Sequence, residues 1–170
     1  MATLYRNAME ALYRLCVAVA SLALLAMTLA IPYGVFMRYV MNDAASWPEP
    51  AAILMVLVFT FIGAAVCYRA GVHIAVAILV SRLPALPQRL SVAFVHLLMG
   101  ALALFMLLWG SRLVAATWHQ HLAEFTWLRT GISYLPVPIG GAITLLFIIE
   151  RVWLGPPGPE SYTYREPVEE

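Results

Sequence analysis

Four stretches without a single formal charge decide what this chain can become. They run Leu15 to Met37, Pro50 to Tyr68, Leu90 to Ser111 and Thr130 to Ile149, which is 23, 19, 22 and 20 residues. A bilayer's hydrocarbon core is about 30 Å thick and takes about 20 apolar residues at 1.5 Å rise each. Each run is long enough to cross as a helix. All four are too continuous for barrel strands, which alternate with period two. The expected fold is therefore an all-α integral membrane protein with four transmembrane helices in a bundle. Composition agrees: 63% of residues are hydrophobic and 11% charged, with mean hydropathy +0.85. A soluble domain is about a quarter charged. So few charges exclude a soluble enzyme and a disordered tail protein, and a net charge of +1 gives no basic patch for nucleic acid. The partner that composition does demand is the lipid bilayer.

The organisation follows from the breaks between runs. Residues 1–154 read as a single four-helix membrane domain. Its spans are about 15–37, 50–68, 90–111 or longer, and 132–154. The third run stays apolar to about His119 apart from Arg112, so its helix is expected to project beyond the membrane face. Ala70 to Ser81 is a fifth run of only 12 residues, too short to span, and is expected at the interface between helices two and three. Residues 155–170 carry four Pro and four Glu and read as a flexible tail. Its end at Glu170 is read as the end of a chain separate from any larger subunit. The first run exceeds the usual 7–15 residues of a signal-peptide core, so it is taken as a retained span.

All ten basic residues are Arg. Seven fall on the side that carries both termini: Arg6, Arg14, Arg69, Arg82, Arg89, Arg151 and Arg165. Arg38, Arg112 and Arg129 fall on the other. Positive charge collects in the cytoplasm, so both termini are expected there, in a multi-pass membrane protein.

The search for chemistry returns little. No phosphate-binding loop, nucleophile elbow, zinc-protease or dinucleotide motif is present. Cys16 and Cys67 lie alone in apolar runs and suggest neither a disulfide nor a zinc site. Between the charged ends of the spans only His96 is ionisable, and intramembrane charges are what mark ion and proton pathways. The chain by itself is thus expected to be neither pump nor transporter, and to have no catalytic residue, cofactor or metal. One alternative is a haem-binding membrane anchor of a redox enzyme, with His73 and His96 pairing as axial ligands. His119 and His121 are a weak metal signal at the outer end.

What the spans do show is small and hydroxyl residues at helical spacing. Val56, Thr60, Gly63 and Cys67 share one face of span two; Gly140, Gly141 and Thr144 recur in span four; Ser21 and Thr28 lie in span one. Such residues let helices approach closely and hydrogen-bond across. They serve packing inside the bundle or packing against a second membrane protein. Arg38 and Glu49 flank the first outer loop; they either anchor at the interface and a helix start or contact a partner.

Four motifs in order carry a family resemblance. They are Phe36-Met37-Arg38-Tyr39-Val40-Met41-Asn42, Ser46-Trp47-Pro48-Glu49, Phe61-Ile62-Gly63-Ala64-Ala65 and Tyr68-Arg69-Ala70-Gly71-Val72-His73-Ile74. The chain resembles the small membrane subunit of tripartite ATP-independent periplasmic (TRAP) transporters. Leu128 to Gly140 resembles that family's Pro-bearing entry to span four. Pro50 stands where the family has a second Glu, and Ala75 and Ala77 stand where it often has charges. The resemblance implies a non-catalytic subunit with two protein partners, a large multi-span transport subunit and a periplasmic substrate-binding protein. It implies uptake of an organic acid, usually coupled to sodium. The residues it points to as partner contacts are Arg38, Tyr39, Trp47, Glu49, Gly63, Arg69, His73, Gly140 and Gly141.

Overall fold

The computed structural model describes residues 2–43, 45–71 and 85–155. Its regular elements are all helices, with one isolated β-bridge in the irregular stretch after α3, and four helical segments are long and apolar enough to cross a membrane. Helix α1 is Ala2–Tyr39, α2 is Pro48–Ala70, α3 is Ala85–Thr117, α4 is the short Thr130–Tyr134, and α5 is Pro136–Leu154. The expected interfacial segment after α2 and nearly all of the tail lie outside the described residues.

The helix limits follow local chemistry. Pro48 and Pro136 open α2 and α5, where a missing N–H goes unneeded. Gly71 closes α2 in the left-handed region, at φ 69°, and donates its N–H to the carbonyl of Tyr68. α1 starts well before the first uncharged run, so residues 2–14 are one continuous helix with the span. Its 38 residues extend about 57 Å, and the 33 of α3 about 50 Å, both beyond a hydrocarbon core. α2, with 23 residues and about 35 Å, matches the bilayer closely.

The helices are neighbours in the order α1, α2, α5, α3. α5 thus sits between α2 and α3, and two adjacent glycines make that possible. A Cβ on Gly140 would stand 2.7 Å from the Phe61 carbonyl oxygen of α2. A Cβ on Gly141 would stand 2.7 Å from the Ala103 carbonyl oxygen of α3. Consecutive residues point about 100° apart on a helix, so one glycine serves each neighbour. The core gathers where α1, α2 and α5 converge: Met9, Cys16, Ala65, Tyr68 and Ile143 surround the fully buried Phe147.

The two small-residue stripes therefore part company. Gly140, Gly141 and the buried Thr144 work inside the assembly. In α2, Val56, Thr60 and Cys67 are exposed, and a Cβ on Gly63 would meet nothing within 4 Å. Packing inside the bundle is not the role of the α2 stripe. The exposed Ser21 and Thr28 of α1 likewise point outward, and the Thr28 hydroxyl is turned back on the Leu24 carbonyl.

Gly141→Leu is expected to destabilise the purified chain by about 1–3 kcal/mol, because the obstructing atoms are backbone. Gly63→Leu is expected to change it by less than about 0.5 kcal/mol. Thermal unfolding in mild detergent compares the two, and equal effects would contradict this packing order.

Candidate functional site

The functional geometry consists of two charged layers and the apolar faces between them. The first layer is built on Arg69, in the last turn of α2. Its Nε donates to Glu150 Oε2 at 2.8 Å and its Nη2 to Glu150 Oε1 at 2.9 Å, a planar fork onto one carboxylate. Its Nη1 donates to Glu10 Oε2 at 2.8 Å. Glu10 comes from α1 and Glu150 from α5, so one guanidinium ties three helices. Arg69 is 4% exposed and Glu150 5%. Tyr13 and Phe147 hold the guanidinium between their rings, at 5.1 and 5.4 Å from the centroids. Glu10 Oε1 makes no hydrogen bond and faces Arg14 Nε at 3.5 Å.

Beside this cluster, the Tyr68 hydroxyl and His96 Nδ1 lie 2.7 Å apart, linking α2 to α3. Arg151 Nη1 donates to the Tyr68 carbonyl at 3.2 Å. His96 is thus engaged at one ring nitrogen. His119 and His121 stand more than 20 residues further along, at the opposite end of α3, and His73 lies outside the described residues. The described residues contain no group of three or more His, Cys, Asp or Glu able to hold a metal ion. The haem-anchor reading gains no support from this geometry.

The second layer is at the other end. Arg38 closes α1 and Glu49 lies in the first turn of α2, with Nη2 and Oε2 3.9 Å apart and both side chains well exposed. Glu49 and Arg69 are 20 residues apart on one helix, about 30 Å, which is the thickness of a hydrocarbon core. Tyr33 and Trp47 pack 5.5 Å apart beside this layer, as aromatic residues do at a membrane interface. Tyr39 is 76% exposed.

The segment between α3 and α4 stands at the same end and is ordered. His121 bridges Arg129, Leu122 N–H donates to the Leu128 carbonyl at 3.2 Å, and Arg129 lies over Trp118. Trp127 is left 77% exposed at its tip.

Of the residues expected to meet partners, Arg38, Tyr39, Trp47 and Glu49 are brought together at one exposed end, and Gly63 faces outward from α2. Arg69, Gly140 and Gly141 are buried in contacts within the chain itself. Glu10 and Glu150 were not singled out in the sequence. The available signal was their position, since a carboxylate flush against an apolar run needs a partner.

The family model described as "Tripartite ATP-independent periplasmic transporters, DctQ component" matches residues 27–155. A Haemophilus influenzae protein that carries the name of a TRAP transporter small permease is 24% identical over 143 residues, covering 84% of this chain and 86% of that protein.

Removing Arg69 strands the buried Glu150 carboxylate and the half-buried Glu10. Arg69→Met is expected to destabilise by about 3–5 kcal/mol. Adding Glu10→Gln and Glu150→Leu to it is expected to restore most of that loss, because the unpaired charges go too. Unfolding by denaturing detergent measures both, and a stable Arg69→Met single variant would show that the cluster is dispensable.

Proposed function

The chain belongs to the DctQ component of tripartite ATP-independent periplasmic transporters, and from that premise we propose how it works as their small permease subunit. It is a non-catalytic support. Its α2 face of Thr60, Gly63 and Cys67 meets the large multi-span transport subunit. Its end at Arg38, Tyr39, Trp47 and Glu49, with the segment up to Trp127, helps dock the periplasmic binding protein. That protein delivers an organic acid for ion-coupled uptake, with sodium as the ion; this part of the reading rests on the family resemblance.

The observation that carries the support role is the charge pattern. Between the two layers, about 30 Å apart, the described spans hold no carboxylate, their guanidinium groups are Arg14 one turn from Glu10 and Arg112 near the far end of α3, and His96 lies beside the Arg69 layer. A translocation path is ordinarily marked by ionisable groups well inside the membrane. The face of α2 is small where a lipid-facing helix has no need to be, and small residues are what close helix approach requires.

Residues 1–154 form one membrane domain in this reading, with 155–170 as its tail and both termini cytoplasmic. Arg69 is consumed by its carboxylates and no longer counts toward orientation. Six arginines remain on the terminal side against three on the other, so the positive-inside argument survives.

Purification of the tagged chain from its native membranes in mild detergent is expected to bring a large polytopic membrane protein at near-equal amount. Gly63→Leu is expected to weaken that retention by about fivefold or more, since overpacking costs about 1–3 kcal/mol. A flavin or iron–sulfur subunit in its place, or no partner, would overturn the proposal. Glu49→Lys is expected to lower substrate uptake by the assembled complex at unchanged complex levels; wild-type uptake would remove Glu49 from the docking surface.

A further inference from the structure

A cleft of about 490 Å³ opens between α1 and α2 at the Arg38–Glu49 end. This is within the range of small-molecule pockets, about 300–1,000 Å³. Its walls are Ile31 and Val35 on one side and Ile53 and Val56 on the other, with Gly34 and Ala52 between them. All four wall residues are substantially exposed, so the cleft opens onto the apolar faces of the two helices and into the hydrocarbon. Its mouth lies at the depth of the Tyr33–Trp47 pair. Arg38 and Glu49 stand at that mouth.

Those two side chains are an unusual pair. At 3.9 Å they are too far apart for a hydrogen bond, and their side chains are 57% and 80% exposed. Each keeps its bonding capacity for something else. A guanidinium beside a carboxylate is the charge complement of a phosphate beside a primary ammonium. We propose that this cleft binds one aminophospholipid of the phosphatidylethanolamine type, an acyl chain along the Ile31–Val56 walls, the phosphate on Arg38 and the ammonium on Glu49. A headgroup with phosphate alone leaves Glu49 unmatched. A choline headgroup has no N–H to donate to it.

This proposal requires only that the chain spans a bilayer, and not the docking role of Glu49. Its test therefore uses the full-length chain without any binding protein. The chain is purified in mild detergent, offered phosphatidylethanolamine, phosphatidylglycerol or phosphatidylcholine, and examined by native mass spectrometry. One phosphatidylethanolamine is expected to stay bound, favoured about fivefold over the other two, the size an exposed ion pair supports. Glu49→Gln is expected to abolish that preference, and Arg38→Gln to reduce retention of all three. Val56→Trp, which fills the cleft and leaves both charges, is expected to remove binding while the unfolding temperature confirms a folded chain. Equal retention of the three lipids, a preference that survives Glu49→Gln, or binding that survives Val56→Trp would each overturn it.

Discussion

Everything at one end of this protein depends on the Arg69 guanidinium. In lipid, apolar side chains gain nothing by leaving one apolar environment for another, so helices need a different reason to stay together. Here one planar cation satisfies both oxygens of Glu150 and one of Glu10, between two aromatic rings. A buried ion pair does not by itself stabilise a fold strongly, because desolvation offsets most of the attraction. Its force is in the penalty for alternatives. Any arrangement that separates α1, α2 and α5 at this level strands a charge at the membrane edge. The cluster therefore selects one set of neighbours and one register, and the apolar core of Phe147, Met9 and Cys16 forms directly around it.

The glycines complete what the charges begin. Gly140 and Gly141 let α5 approach α2 and α3 at backbone distance, and dispersion over such close surfaces is the remaining attraction available in a bilayer. Among the described residues α1 has no corresponding contact with α3. Leu22, Leu29, Leu97 and Phe105 are exposed on the outer helices, as lipid contact requires. The Thr60, Gly63 and Cys67 face of α2 is different in kind, being small and partly polar.

How much of this was legible before any coordinates is a matter of which physics is local. Span number follows from charge-free runs, because an unpaired charge is disfavoured in lipid residue by residue. Pro48, Pro136 and Gly71 likewise announce helix ends on their own. Neighbour relations do not have that property. Thr60–Gly63 and Gly140–Thr144 look alike as strings, yet one faces out and the other in, since the difference lies in what stands opposite. Arg69 illustrates the same point. Counted by the positive-inside rule it is a headgroup arginine, and only the convergence of Glu10 and Glu150, 59 and 81 residues away, makes it internal.

The two layers also define the protein's relation to its membrane. The lower one is neutralised within the chain and turned inward, while the upper one is exposed. Their spacing along α2 equals one hydrocarbon thickness, so α2 is the helix that sets depth. α1 and α3 are longer and must tilt or protrude. At the Arg69 end, the excess of α1 is held by Tyr5 and Met9 against the core. At the other, α3 carries the ordered segment around Arg129 and Trp118 to its full height. The inward layer is thus the means of assembly and the outward one is left free for contact. A subunit whose work is to hold others in place has reason to divide its few charges that way.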